Sequence, residues 1–245
     1  MVFSKVRRFS RRMGFRLLVV VPNKQPPSYS GQDDDHCVLC GMGDEYRCVA
    51  ASLAGLVQQV AVSYVKNGYW FFVAGAVPEG KDLPSIDAKF IKLYQLSISK
   101  YVRCRRRRLG QAGVQYIRLG RFFLILATHG EHLFFVREKK MIRDARRCPI
   151  KVGGYAIGFR SGRVSVRIER QEYRFLKDAF SKRALHAKAR LEVAFSNLPY
   201  EPYAPVRSQL MAVLRSVNRK RSVAGLPPLD RSCIRVSRRI VKPFV

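Results

Sequence analysis

The 245-residue chain carries 47 lysine and arginine residues against 17 acidic ones, which gives a formal net charge of +30 at pH 7. Its hydrophobic content of 47% and aromatic content of 11% exclude a histone-like disordered tail and predict a folded core. The longest apolar run, residues 69–77, is far shorter than the about 20 residues a membrane helix needs, so we expect no transmembrane segment.

This charge predicts a polyanionic partner. Nucleic acid is favoured because phosphate contacts neutralise the cations and release condensed counterions. An anionic membrane surface attracts cations by the same electrostatics. Nucleic acid is favoured over a membrane surface because the basic residues are spread along the chain, with no lipid-insertable apolar stretch beside them.

Residues 1–31 form a predicted basic arm and linker without acidic residues. We expect Arg7, Arg8, Arg11 and Arg12 to contact nucleic acid; a transit peptide for organellar import is the alternative. The six cysteines are unevenly spaced and no secretory signal precedes them, which favours a reducing, intracellular location in the cytoplasm or nucleoid.

Residues 32–68 form a predicted acidic and cysteine-containing segment that ends in a helix from Ser52 to Lys66. Cys37 and Cys40 have the C-x-x-C-G spacing of a zinc knuckle, and Cys48 and His36 could supply further ligands. A second C-x-x-C pair is missing from the sequence. Bound zinc and buried free thiols therefore both remain open.

Residues 69–169 show an alternation of predicted elements. A strand at 69–77 precedes a helix from Pro84 and a second helical stretch from Ser97 to Gly110. The elements that follow are strands at 114–118 and 121–127, a helix at 131–147, and hairpin strands at 152–160 and 163–169. The order β, α, β, β, α, β with an extra strand predicts a ferredoxin-like α+β core.

Residues 170–245 are predicted to be a basic helical region, with helices at 171–198 and 205–224. The second helix has an apolar stripe on one side. Its remaining surface and the tail offer the predicted nucleic-acid contacts Arg215, Arg219, Lys220, Arg221, Arg238 and Arg239.

The central arginines are the strongest predicted phosphate contacts. Their helix lacks acidic residues at the i±3 and i±4 positions that would neutralise them, although a solvated run of charge is the alternative. The predicted contacts here are Arg103, Arg105, Arg106, Arg107 and Arg108, followed by Arg146 and Arg147.

Tyr155, Ile157 and Phe159 alternate along one predicted strand and therefore share a face. Tyr155 and Phe159 could stack on unpaired bases, but packing into the core is the favoured interpretation.

His129, Glu131 and His132 form the best catalytic candidate, at a strand-to-helix junction. Such groups can bind a metal or transfer protons at a phosphodiester, with Tyr116 or another tyrosine as the nucleophile. The alternative is a structural loop in which Thr128 caps the following helix.

The sequence thus predicts a nucleic-acid-binding protein, RNA more than DNA, that clamps the phosphate backbone as a subunit of a ribonucleoprotein or nucleoprotein complex. A binding protein is favoured over an enzyme, whose reaction would be phosphodiester cleavage or transfer on nucleic acid. The alternative function is a nuclease or a processing enzyme of a mobile element that uses His129, Glu131 and His132.

Overall fold

The computed structural model describes residues 46–245, which have a mixed α/β architecture. Within this range the chain forms two antiparallel sheets and seven α-helices. In chain order the helices are α1 (Leu53–Gln58), α2 (Leu83–Leu93), α3 (Lys100–Arg108), α4 (Leu133–Arg137), α5 (Arg170–Lys182), α6 (Lys188–Ser196) and α7 (Ala204–Val223). No helix among residues 46–245 is long and apolar enough to cross a membrane.

The first helical segment confirms the prediction for Ser52 to Lys66. The Ser52 side chain accepts a hydrogen bond from the Gly55 N–H and starts α1. The helix continues as π-helix over Gln59–Tyr64 and as 3₁₀-helix over Val65–Asn67. It ends at Gly68, whose φ of +92° suits a residue without a side chain.

The first sheet contains strands β1 (Phe71–Ala76), β2 (Val114–Leu119), β3 (Phe122–Ala127) and β4 (Arg143–Asp144) in the order β2-β3-β1-β4. Every neighbouring pair is antiparallel. Strand β1 therefore lies inside the sheet, with β3 on one side and the two-residue β4 on the other.

The helix predicted over 131–147 is wrong for most of its length. Helix α4 ends at Arg137, and the chain turns back so that Phe71 of β1 pairs with Asp144 of β4. The Glu138 carboxylate accepts a 2.7 Å hydrogen bond from the Tyr94 hydroxyl. This tertiary contact, with the pairing of β4, competes successfully with continuation of the helix.

The second sheet contains β5 (Ile150–Val152), β6 (Tyr155–Arg160) and β7 (Arg163–Ile168) in that order. The hairpin of β6 and β7 was predicted, but β6 is not the fourth strand of the first sheet. The sheet edge beside Phe71 and Phe72 is occupied by β4, so the chain from Ile150 onwards builds a separate sheet.

The long helix predicted over 171–198 is interrupted between Lys182 and Lys188. The cause is Arg221 of α7, whose guanidinium donates hydrogen bonds to the carbonyls of Ala184 and His186 at 2.9 and 2.7 Å. These carbonyls point to Arg221 rather than along a helix, so α5 and α6 form as separate helices.

Both faces of the first sheet are buried. On one face, Phe72, Ile117 and Leu124 join the larger apolar cluster, which includes the 53–67 helix, the second sheet and α5 to α7. On the other face, Val73 and Ile125 join a smaller cluster with residues of α2 and α4. Two segments therefore meet at the same end of the first sheet. Residues 95–112 lead into β2, and residues 128–133 follow β3.

Candidate nucleic-acid interface

Helix α3 is the predicted arginine helix, and the structure confirms that it is helical. The Ser99 hydroxyl accepts a hydrogen bond from the Val102 N–H at its start. Gly110, with a φ of +78°, follows its end. None of the residues Lys100–Arg108 is buried, so the helix lies on the surface along its whole length.

Three arginines of α3 fasten the helix to its surroundings. Arg103 donates to the Ile98 carbonyl and Arg106 to the Gln95 side chain, both at 3.1 Å. Arg107 donates to the Asn67 carbonyl at 3.4 Å, and its guanidinium lies 5.9 Å from the Tyr69 ring centroid. These contacts between three arginine side chains and neighbouring residues therefore hold α3 in a defined orientation.

Arg105 and Arg108 have a different environment. Both are exposed, and among residues 46–245 neither side chain makes a hydrogen bond or an ion pair. They are three positions apart and so lie on one face of the helix. Tyr101, four positions before Arg105, lies on the same face and is 85% exposed.

Tyr101 is a binding candidate that the sequence interpretation missed. An aromatic side chain at helical spacing usually belongs to an apolar face, but here the i+4 and i+7 positions are arginines rather than leucines. The signal was therefore present as the combination Tyr101, Arg105 and Arg108, which we call the Tyr-Arg face. Such a face offers one aromatic ring for stacking on a base and two guanidinium groups for bidentate hydrogen bonds to phosphates.

The loop containing His129, Glu131 and His132 is bonded to the end of the arginine helix. The Glu131 N–H donates to the Gly110 carbonyl, and the Glu131 carbonyl accepts from the Ala112 N–H, both at 3.0 Å. Gln111 and Glu131 form a parallel bridge. The predicted catalytic loop and the predicted phosphate-binding helix are thus one continuous unit.

Gly130 makes this close approach possible. Its φ is +135°, and a Cβ at this position would overlap the Gly110 carbonyl oxygen and lie 2.7 Å from the Ala112 nitrogen. A side chain cannot be placed there without separating the two segments. The glycine in the His-Gly-Glu-His sequence therefore has a structural reason.

A cavity of about 750 Å³ lies where α3, the 128–133 loop and α4 meet. Its polar wall contains Arg106, Glu131 and His132, with two glutamine side chains. Its apolar wall contains side chains from α2 and α4. The full lining is Leu93, Gln95, Arg106, Gln111, Gly130, Glu131, His132, Leu133, Phe135 and Val136.

His132 caps α4. Its Nδ1 accepts a 3.1 Å hydrogen bond from the Phe134 N–H, so in the neutral ring the proton is on Nε2. Burial, with the nearby Arg106 guanidinium, lowers the pKa of His132 below its ordinary value. The prediction that Thr128 is the cap is wrong: the Thr128 side chain is buried and accepts from the Gly113 N–H at 2.8 Å.

His129 is exposed and does not line the cavity. Its ring centroid lies 6.4 Å from that of Phe71. The structure therefore brings Glu131 and His132 together with Arg106, but not the two histidines.

Tyr116 is not available as a nucleophile. Its side chain is fully buried, and its hydroxyl donates a 2.6 Å hydrogen bond to Asp87. Burial and the Asp87 carboxylate raise the pKa of Tyr116 far above its ordinary value. The prediction failed because sequence alone does not reveal that Asp87 of α2 faces β2.

The predicted base-stacking residues lie in or beside the core. Tyr155 is 2% exposed, and its hydroxyl accepts a 2.6 Å hydrogen bond from the Glu201 N–H. The prediction that Tyr155 stacks on a base is therefore wrong. Phe159 is half-buried with its ring edge-on to Trp70, at a centroid distance of 6.2 Å. Both side chains pack as core residues do.

The predicted basic contacts of α7 divide into two groups. Arg215, Arg219 and Lys220 are exposed. Arg221 is a correction: it is 2% exposed and donates to the carbonyls of Ala184, His186 and Pro227. Its bonds are all internal, so it cannot contact a phosphate.

The other predicted cations are exposed, with different partners. Arg146 forms a 2.7 Å ion pair with Asp144 and lies 4.3 Å from the Trp70 ring centroid. Arg147 and Arg239 are also exposed. Arg238 lies 5.2 Å from the Tyr203 ring centroid.

The predicted zinc site falls largely outside the described residues, as do Arg7, Arg8, Arg11 and Arg12. Cys37, Cys40 and His36 precede residue 46. Cys48 is buried in the smaller core cluster, and burial together with the Asp87 carboxylate raises the pKa of its thiol to about 11. Within residues 46–245 no group of three or more histidine, cysteine or acidic residues could hold a metal ion.

The chain matches no known protein-family model, and no curated protein is significantly similar to it. The interface must therefore be interpreted from its own geometry and charge.

Proposed function

We propose that this protein binds nucleic acid, RNA in preference to DNA, by clamping the phosphate backbone with the Tyr-Arg face of α3. The observation that carries the proposal is that Arg105 and Arg108 are exposed side by side without an acidic partner. Guanidinium groups in this state match the bidentate geometry of phosphate oxygens. The adjacent Tyr101 ring stacks on an unpaired base beside the bound phosphates.

A stable complex with RNA fits the charge of the whole chain. At a net charge of +30 the cationic side chains of a folded protein repel one another, and permanently bound RNA would neutralise them. We therefore propose a subunit of a ribonucleoprotein in the cytoplasm or nucleoid, with residues 1–31 as a further binding arm. Zinc held by Cys37 and Cys40 is part of the same proposal, and metal analysis of the full chain tests it.

We also propose that residues 71–144 are a ferredoxin-like unit. The support is the strand order β2-β3-β1-β4 with antiparallel neighbours, α2 between β1 and β2, and α4 between β3 and β4. In this interpretation the fourth strand is the two-residue β4 rather than the 152–160 segment. The fold itself is compatible with both binding proteins and enzymes.

The proposal is tested by measuring RNA affinity against salt concentration. Each lost phosphate contact lowers the slope of log K against log[salt] by about 0.7–0.9. We expect Arg105→Gln with Arg108→Gln to reduce the slope by roughly twice that amount. The matched control is Arg190→Gln with Arg207→Gln, which removes the same charge from exposed positions on α6 and α7.

Tyr101→Ala separates stacking from charge. We expect it to weaken binding of single-stranded RNA by about 1–3 kcal/mol and to leave the salt slope unchanged. A wild-type chain that binds no nucleic acid at low salt would overturn the proposal. Equal slopes for the α3 variant and its control would remove α3 from the interface.

A second candidate function is phosphodiester cleavage, because the cavity brings Glu131 and His132 together with Arg106. Arg106 would hold the phosphate, and Glu131 would take the proton of a water that attacks the phosphorus, while the departing ribose oxygen takes a proton from solvent. Glu131→Gln is expected to abolish cleavage and to retain RNA binding. His132→Asn is the companion variant, since asparagine preserves the helix cap. Cleavage unaffected by both variants would reject this candidate.

A further inference from the structure

The second sheet has one face in the core and one face directed away from it. Side chains alternate along a strand, so residues two apart share a face. The inward positions are apolar: Ile150, Val152, Tyr155, Ile157, Phe159, Val164, Val166 and Ile168. The outward positions are Lys151, Ala156, Gly158, Arg160, Arg163, Ser165 and Arg167. Ala145 and Pro149 cover the Gly158 position, and the other outward positions carry cations and no aromatic or large apolar side chain.

The strand register places these cations on both sides of a small residue. Ala156 of the central strand β6 pairs with Lys151 of β5 and with Arg167 of β7. Since neighbouring strands are about 4.8 Å apart, the backbones of the two cations are about 10 Å apart. Farther along the hairpin, Arg160 pairs with Arg163.

A depression of about 410 Å³ lies at the Ala156 position of this face. Lys151 lines it together with Arg170 and Arg174, which are exposed residues of the first two turns of α5. Among the ion pairs of residues 46–245, neither arginine has an acidic partner. The depression is therefore lined by three cationic side chains from two elements.

One carboxylate, Glu169, also lines the depression, but it is already engaged. It forms a 2.9 Å ion pair with Lys151 and accepts a 2.7 Å hydrogen bond from the Gln171 N–H. Burial alone would raise the pKa of Glu169; the Lys151 ammonium and the α5 backbone N–H groups outweigh it and lower that pKa. Glu169 thus neutralises Lys151 and leaves the arginines uncompensated.

We propose that this face is a second nucleic-acid contact that takes the phosphate backbone of double-helical RNA. We call it the sheet surface and define it as Lys151, Arg163, Ser165, Arg167, Arg170 and Arg174. The inference rests on the proposed function, because it assigns a paired region of the same RNA to a surface distinct from α3. One backbone phosphate occupies the depression beside Arg170 and Arg174, and neighbouring phosphates meet Arg163 and Arg167.

The absence of rings from the outward positions decides between paired and unpaired RNA. Surfaces that hold single strands use aromatic side chains on which bases stack, and the outward positions of β5 to β7 offer none. A helix with its bases already stacked needs only backbone contacts. The sheet surface meets that requirement.

The Ser165 hydroxyl of the sheet surface favours RNA over DNA. The RNA helix displays 2′-hydroxyls and base edges in a wide, shallow minor groove, where a side chain on a protein surface can reach them. The Ser165 hydroxyl lies between the arginine positions, with Arg167 donating to it at 3.3 Å, and can bond a 2′-hydroxyl. A DNA duplex lacks that group and narrows its minor groove.

The test compares one RNA strand, the same strand paired with its complement, and a DNA duplex of the same sequence. The variant combines Arg163→Gln, Arg167→Gln and Arg174→Gln; Lys151 is retained because it pairs with Glu169. The charge-matched control combines Arg190→Gln, Arg207→Gln and Arg231→Gln, all exposed positions off the sheet surface. Thermal unfolding of both variants verifies that they fold.

We expect the sheet-surface variant to bind duplex RNA at least tenfold more weakly than the control does, and single-stranded RNA equally well. An equal loss on the DNA duplex would overturn the assignment to RNA, and an equal loss on the single strand would overturn the assignment to a duplex. Unchanged duplex binding would overturn the inference and leave the proposed function standing. Failure of the wild-type chain to bind any nucleic acid would overturn both.

Discussion

Arg118 of β2 and Asp87 of α2 form a 2.7 Å ion pair with each side chain only 9% exposed. The Arg118 Nε lies 2.9 Å from both carboxylate oxygens, and its Nη1 donates to the Gly120 carbonyl at 2.8 Å. The Tyr116 hydroxyl donates to the same carboxylate. A surface helix is thereby joined to the sheet by a buried, fully bonded network.

We expect Asp87→Ala to lower the free energy of unfolding by about 3–5 kcal/mol, because it leaves the Arg118 charge buried and unpaired. Urea denaturation measures the change. Asp178→Ala, at an exposed carboxylate of α5, is the control and should cost less than about 0.5 kcal/mol. Similar values for the two variants would show that the pair does not stabilise the fold.

Arg221 and Arg219 make a second comparison, within one helix. Arg221→Ala deprives the carbonyls of Ala184, His186 and Pro227 of their donor and should destabilise the chain by about 2–4 kcal/mol. Arg219 is exposed, so Arg219→Ala should leave stability unchanged and weaken RNA binding instead. Thermal unfolding and a binding titration on both variants distinguish the two roles. A stable Arg221→Ala chain would contradict the structural assignment.

Gly130 and Gly110 both have positive φ angles but differ in the space around them. Gly110→Ala meets nothing within 4 Å and should cost about 1–2 kcal/mol of backbone strain. Gly130→Ala should cost more, since its Cβ also overlaps the Gly110–Ala112 backbone. Denaturant unfolding ranks the two variants, and an equal cost would mean that the loop and α3 are not tightly joined.

The lowered pKa of His132 makes stability depend on pH. The unfolded chain binds a proton near pH 6.5, whereas the folded chain resists it because His132 is half-buried beside Arg106. The contribution is therefore complete above pH 6.5 and is lost as pH falls through the lower folded value. We expect the free energy of unfolding to decrease from pH 7 to pH 5, less steeply in His132→Asn. Parallel curves for the two chains would refute the assignment.

The sequence predicted helices and strands well where the hydrophobic periodicity ends at a glycine or another turn residue. The helix ending at Gly68, the arginine helix and both hairpins were found in this way. The prediction failed where a distant part of the chain decides the local structure. Arg221 donates a hydrogen bond to a carbonyl between α5 and α6, where a continuous helix was predicted. Asp144 pairs with β1 where the helix over 131–147 was predicted. Such contacts join residues far apart in the chain, and no local pattern encodes them.

The same reason explains the errors in the predicted site. Tyr116, Tyr155 and Arg221 are residue types that often act on ligands, but the fold buries all three. Conversely, Tyr101 belongs to the α3 surface only because the neighbouring turns place arginines beside it. The count of cations was visible in the sequence, whereas their division into bonded and free groups needed the fold.

The last residues of the chain contact residues 49–55 near the start of the described part. The Pro243 carbonyl accepts from the Ala51 N–H at 3.1 Å, Phe244 bridges to Ala50, and the Gly55 position leaves just enough room for the Lys242–Pro243 backbone. During synthesis, the start of α1 must therefore wait for nearly two hundred residues before its neighbour exists. This edge is therefore completed late in folding, and a chain lacking residues 242–245 would leave the Ala51 N–H without its backbone partner, an unpaired edge of the kind that pairs with other chains.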